Sequence, residues 1–85
     1  MMLTQPGLPG NRRVLASDAL RMWRRRRWLS QPDLAYLLGV HGQTVNRWER
    51  TLYAIPPYLE LALERLDDLY DWSPDGPTDK HGKRV

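Results

Sequence analysis

The chain contains no cysteine, which excludes disulfide bonds and metal sites built from thiolate ligands. It also has no apolar run close to the ~20 residues that a membrane-spanning helix needs. The first ten residues lack a basic segment followed by a long apolar region, so they do not have the form of a secretory signal. We therefore expect a cytoplasmic protein that is not attached to a membrane.

Catalytic side chains are scarce as well. The two histidines, His41 and His81, lie in different segments, and neither has a partner at metal-ligand spacing. A glycine-rich phosphate-binding loop is also missing. We expect no enzymatic activity, no metal, no cofactor and no small-molecule ligand.

Alternating runs of β-branched residues are absent too, so the sequence predicts no sheet. A chain of 85 residues forms one small domain. Proline and glycine mark both ends, which predicts a flexible arm at 1–16, a helical domain at 17–72 and a disordered polar tail at 73–85. The expected fold is all-α, with four compact helices. A fifth helix would have to come from the polar segment after Trp72.

Capping residues set the expected helix limits. Ser17 is a candidate N-cap for a first helix that runs to about Arg27. Ser30, with Asp33 three residues later, forms a pattern like a capping box for the second helix. Gly39 suits the left-handed position that ends this helix. The third and fourth helices are expected at about 42–50 and 57–70.

The net charge of +3 is unevenly distributed. Residues 11–52 contain nine arginines and have a balance of +6, whereas residues 53–71 have a balance of −4 and residues 72–85 one of +1. A concentration of basic charge of this kind favours a polyanionic partner. A solvated, arginine-rich helix is the alternative interpretation.

The third helix has an outer face made of amide, hydroxyl and guanidinium groups. Amides can pair with adenine and arginine with guanine, while a threonine can meet a thymine methyl group or a phosphate. Gln31, at the start of the second helix, is placed to bind a phosphate. An ordinary solvent-exposed face would contain similar residues. The outer face consists of Gln43, Thr44, Asn46, Arg47 and Arg50.

In combination, these features resemble the lambda-repressor/Cro-like (Xre-type) helix-turn-helix family. The resemblance implies that Gln31 contacts a phosphate, that Gln43, Asn46 and Arg47 face the bases, and that Arg24 pairs with Glu49. The sequence departs from the family pattern at the start of the third helix, where His41 replaces the usual Ser or Thr cap and Gly42 replaces a long polar residue. The residues that carry the resemblance are Ser30-Gln31, Leu34-Ala35, Leu38-Gly39-Val40, Gln43 to Glu49, Ile55 to Leu59 and Leu61-Ala62-Leu63.

Outside the third helix, Tyr53 is a candidate phosphate donor or a packing residue. Arg12 and Arg13, beside the arm, are candidates for a minor-groove contact. Large apolar side chains near the end of the fourth helix form either a dimer contact or part of the core. These side chains are Leu61, Leu66, Leu69, Tyr70 and Trp72.

The sequence thus predicts a sequence-specific regulator that binds double-stranded DNA. The resemblance implies a small homodimeric repressor, encoded by a phage or mobile element, that binds an inverted-repeat operator and controls its own operon. One alternative is a protein-interaction module or antitoxin that binds a partner protein through the acidic fourth helix. Another is a nonspecific nucleoid protein.

Overall fold

The computed structural model describes residues 15–84, in which four helices are followed by a short hairpin. The four predicted helices are present and confirm the all-α helix-turn-helix fold. The first and the fourth are two or three residues shorter than expected. The elements are α1 (Ser17–Arg25), α2 (Gln31–Leu38), α3 (Gly42–Glu49), α4 (Leu59–Leu69), β1 (Tyr70–Asp71) and β2 (Thr78–Asp79).

Two expectations from the sequence concern the N-terminal arm and membrane attachment. Most of the predicted arm, including Arg12 and Arg13, lies outside the described residues. Among residues 15–84, no helix has the length and apolar character to cross a membrane.

The start of α1 differs from the prediction. Ala16 is the N-cap residue, with extended backbone angles, and Ser17 is already helical. The Ser17 hydroxyl donates a 2.6 Å hydrogen bond to the carbonyl of Trp48 at the end of α3. Ser17 therefore ties two helices together instead of capping one, because a remote carbonyl is within reach of its hydroxyl.

The core lies where the helices converge. The residues predicted to face inward from α2 and α3 are buried, namely Leu34, Ala35, Val45 and Trp48. The apolar stripe of α4 is divided: Leu59, Leu63 and Leu66 are buried, whereas Leu69 is 38% exposed. Leu20 and Leu29 complete this core from the α1 side.

The sequence predicts no strand and a disordered tail at 73–85, but residues 70–79 form a hairpin. Tyr70 pairs with Asp79 and Asp71 with Thr78 in an antiparallel register. Gly76 and Gly82 adopt positive φ angles in the intervening turn and after β2. Proline and glycine act here as turn residues, because they set the backbone angles that a reversal needs.

Trp72 joins the hairpin to α1 and α4. Its ring packs edge-to-face on Trp23 with centroids 5.9 Å apart, and its Nε1 donates to Asp67 at 2.8 Å. Arg27 donates two hydrogen bonds to the same carboxylate, at 2.7 and 2.8 Å, and its guanidinium lies 4.0 Å from the Trp23 ring centroid. This long-range contact orders the hairpin, and composition gives no sign of it.

The structure divides the five apolar side chains that the sequence offers either as a dimer contact or as part of the core. Leu66 belongs to the core, and Tyr70 and Trp72 are half-buried against it. Of the five residues named for that surface, only Leu61 and Leu69 are exposed, at 60% and 38%.

Candidate nucleic-acid interface

The turn between α2 and α3 follows from its local sequence. Ser30 caps α2 through a complete capping box, in which its hydroxyl accepts from the Asp33 amide and the Asp33 carboxylate accepts from the Ser30 amide. Gly39 ends the helix at φ 73°, a left-handed conformation that costs a residue with a side chain roughly 1–2 kcal/mol. The amide of Val40 then donates to Ala35 at 3.0 Å. The chain can therefore enter α3 within three residues.

His41 takes the place of the usual hydroxyl cap at the start of α3. Its Nδ1 accepts a hydrogen bond from the Gln43 amide at 3.4 Å, which is longer than a typical N–H···O bond. An added Cβ at Gly42 would meet nothing within 4 Å, so the glycine leaves open space at this end of the helix.

Arg24 and Glu49 form a buried ion pair between α1 and α3. The guanidinium donates to both carboxylate oxygens, at 2.7 and 2.8 Å, and to the carbonyl of Leu29 at 2.9 Å. Arg24 is 9% exposed and Glu49 is 3% exposed. Because the contact is bidentate, it fixes the angle as well as the distance between the two helices.

The pKa values of this pair reflect their mutual stabilisation. Burial alone would raise the pKa of Glu49, but hydrogen bonds from Arg24 and Gln31 and the charges of Arg24 and Arg21 outweigh it, so the pKa is lowered. The pKa of Arg24 is raised, chiefly by its hydrogen bond to Glu49. Both groups therefore stay charged.

Arg21 is a neighbour of this pair that the sequence analysis missed. Its Nη2 donates to the Glu49 carbonyl at 2.9 Å, and its Nε lies 3.7 Å from the Glu49 carboxylate. Arg21 stands three residues before Arg24, so both lie on one helix face. That spacing was the available signal.

Gln31 connects the ion pair to the outer face of α3. Its Nε2 donates to Glu49 at 3.1 Å, and its Oε1 accepts from Asn46 Nδ2 at 3.2 Å. The structure therefore brings together two residues that the sequence assigned to separate tasks, phosphate binding and base contact. A continuous chain of hydrogen bonds runs from Arg24 to Asn46.

Arg47 lies one helical turn beyond Gln43 and contacts two polar side chains. Its Nη1 donates to the Tyr53 hydroxyl at 2.8 Å, and its Nη2 donates to Gln43 Oε1 at 3.1 Å. The guanidinium also lies 5.2 Å from the Tyr53 ring centroid. Gln43, Arg47 and Tyr53 are called the Arg47 cluster below. Of the other predicted site residues, Thr44 is half-buried and Arg50 is exposed at the end of α3.

A tight turn at the end of α3 carries Tyr53 back over Arg47. The amide of Leu52 bonds to the Arg47 carbonyl at 2.9 Å and that of Thr51 to Trp48 at 3.2 Å, the two bonds of a Schellman motif. Thr51 takes the left-handed position with φ 59°, where a β-branched residue is strained.

A comparison with known protein families agrees with this geometry. A family model described as a helix-turn-helix domain matches residues 16–76. The chain belongs to this helix-turn-helix family. The match agrees with the resemblance to lambda-repressor-like domains, and it spans α1 to α4 and the first part of the hairpin. Searches of curated proteins and of solved structures give no match.

Proposed function

We propose that this helix-turn-helix protein is a sequence-specific transcriptional regulator that places α3 in the major groove of double-stranded DNA. The observation that carries the proposal is the Arg47 cluster, a polar group on the outer side of a helix whose inner side is fixed by Val45 and Trp48. Major-groove recognition needs such a rigid helix with hydrogen-bonding side chains.

The N-terminus of α2 supplies the contact to the DNA backbone. Its helix dipole favours an anion, and Gln31 stands at its first position. Because Gln31 also holds Asn46, phosphate binding and the placement of α3 are linked. Thr44, Arg50 and the hydroxyl of Tyr53 extend the proposed DNA surface along α3 and the loop that follows it.

We further propose that the regulator acts as a homodimeric repressor on an inverted repeat. Two recognition helices about 34 Å apart would then enter successive major grooves. The exposed apolar side chains of α4 and its preceding turn support this assignment, since Leu61 is 60% and Tyr58 65% exposed. Control of its own operon, in a phage or mobile element, is the biological setting we propose.

The test begins with selection of bound duplexes from a random DNA library, followed by affinity measurements at several salt concentrations. A regulator should enrich one motif and lose affinity steeply with salt, because bound phosphates release counterions. Arg47→Ala should cost about 1–3 kcal/mol on the selected site and relax the preference at one position. Arg65→Ala, an exposed change on α4, is the matched control and should bind like the parent. Equal affinities of Arg47→Ala and the parent for every duplex would contradict the role of Arg47.

A second candidate is a protein-interaction module, favoured by the same exposed side chains of α4. Sedimentation of the parent and of Leu61→Glu distinguishes the possibilities. A dimeric parent and a monomeric variant support the dimer. A monomeric parent that binds no duplex at low salt supports the interaction module.

A further inference from the structure

The hydrogen bonds inside the Arg47 cluster determine which kind of group each member can offer to a base. Arginine has five N–H donors and no acceptor. The Gln43 atom that faces Arg47 Nη2 at 3.1 Å is therefore the amide oxygen, because an amide nitrogen would place donor against donor. For the same reason the Tyr53 oxygen accepts from Arg47 at 2.8 Å, and its own hydrogen points elsewhere.

These assignments leave unused hydrogen-bond donors on all three members of the cluster. Arg47 keeps N–H groups beyond the two that it uses, Gln43 keeps both amide hydrogens, and Tyr53 keeps its hydroxyl hydrogen. The Gln43 oxygen is turned toward a positive charge. An amino group that approached this oxygen would also approach the guanidinium, which repels the positive end of an N–H bond.

Bases differ in how they fit such a surface. In the major groove, guanine presents two acceptors, N7 and O6, and thymine presents the O4 acceptor. Adenine presents the N7 acceptor beside an N6 amino donor, and cytosine presents an N4 amino donor. A free glutamine pairs with adenine through its oxygen and nitrogen together. In the cluster, Arg47 occupies one side of that oxygen, so the adenine pairing is disfavoured.

We propose that Gln43, Arg47 and Tyr53 act as one donor-only recognition unit. Arg47 selects guanine at the base pair that it contacts. Gln43 selects guanine or thymine at the base that it contacts, and it rejects adenine there. This inference rests on the proposed DNA-binding function and specifies the bases that it recognises.

The backbone conformation at Thr51 supports a fixed position of Tyr53 over Arg47. A residue with φ 59° is strained when it is β-branched, yet this conformation allows the Tyr53 amide to approach the Arg47 carbonyl at 3.3 Å. The ring of Tyr53 is thereby placed over the guanidinium. Tyr53 is thus a positioning residue for Arg47 in addition to its own contact.

Asn46 gives a contrast on the same helix. It uses its amide nitrogen toward Gln31, and the side-chain partners described for Arg47 are Tyr53 and Gln43. Asn46 therefore keeps the oxygen that an adenine amino group needs. Adenine, if it is selected at all, should be selected at the position of Asn46.

The experiment compares duplex motifs enriched from a random library by the full chain and by four variants. Gln43→Ala identifies the base under Gln43 as the position that loses preference. Arg47→Met removes the guanidinium but keeps the length of the stem, and frees the Gln43 oxygen. Tyr53→Phe keeps the ring and removes the hydroxyl. Arg65→Met on α4 is the matched control for the loss of an exposed arginine.

The parent should enrich guanine under Arg47 and guanine or thymine under Gln43. Arg47→Met should lose the guanine preference, with affinity for the parental site reduced about 5- to 150-fold, and should change the Gln43 position to adenine. Tyr53→Phe should weaken the guanine preference less than Arg47→Met does, and Arg65→Met should leave the motif unchanged.

Two results overturn the inference while leaving the DNA-binding function intact. One is enrichment of adenine under Gln43 by the parent. The other is an unchanged preference at that position in Arg47→Met, provided that its circular dichroism matches that of the parent. Failure of the parent to enrich any motif would instead overturn the proposed function, and the inference with it.

Discussion

Removing one member of the buried Arg24–Glu49 ion pair should cost a large share of the stability of the domain. A chain of this length is expected to unfold with a free energy of about 4–12 kcal/mol. Removing one member of a buried ion pair costs about 3–5 kcal/mol, because the other charge stays buried without its partner. Glu49→Leu should be the more damaging change, since it leaves Arg24 with only the Leu29 carbonyl among the acceptors described. In Arg24→Met, by contrast, Glu49 keeps Gln31 and the nearby Arg21.

A double-mutant cycle separates the pair from the cost of an unpaired charge. For a domain of this size 1 kcal/mol corresponds to roughly 4–8 °C, so each single variant should lower the Tm by about 12–40 °C. The double variant Arg24→Met/Glu49→Leu should be more stable than Glu49→Leu alone, because no buried charge is left. Urea unfolding followed by tryptophan fluorescence and by circular dichroism measures these differences. Losses in the two single variants that simply add up in the double variant would refute the reasoning.

Two further predictions concern acid sensitivity and backbone strain. Burial alone would raise the pKa of Asp67, but hydrogen bonds from Arg27 and Trp72 outweigh it, so the pKa is lowered from its ordinary value of 3.8. Its contribution is therefore present above about pH 3.8 and is lost as the pH falls further. Asp67→Asn should be less stable than the parent at pH 7 and lose less stability on acidification to pH 3, as measured by thermal melts; an equal loss in both proteins would contradict this. Thr51→Gly should stabilise the domain by up to about 1 kcal/mol, and Gly39→Ala should destabilise it by about 1 kcal/mol, because both positions have a left-handed backbone that suits glycine. Urea unfolding measures both changes. A stabilising Gly39→Ala would contradict the assigned backbone strain.

The elements set by local rules could be predicted from the sequence. Ser30 with Asp33 and the left-handed Gly39 set the limits of α2, because capping depends on neighbouring residues alone. The Arg24–Glu49 contact required the family resemblance in addition to helix periodicity. Within α3, the buried side of Val45 and Trp48 follows from their spacing.

The remaining features depend on residues far apart in the chain. Proline and glycine in 73–84 are compatible with a loose tail or with a hairpin, and the contact of Trp72 with Trp23 decides between them. The local sequence predicts a cap at Ser17, because it does not show that the carbonyl of Trp48 is within reach of the hydroxyl. The bond between Gln31 and Asn46 likewise follows from the angle between α2 and α3.

The hydrogen-bond chain from Glu49 through Gln31 to Asn46 has a consequence for how DNA specificity can evolve. A replacement at Asn46 leaves the Gln31 oxygen without its donor and disturbs a side chain that also bonds Glu49. A replacement at Gln43 or Arg47 disturbs the Arg47 cluster and leaves the hydrogen bonds of Gln31 with Glu49 and Asn46 in place. New operator preferences should therefore arise first at 43 and 47, whereas changes at 46 should be found together with changes at 31.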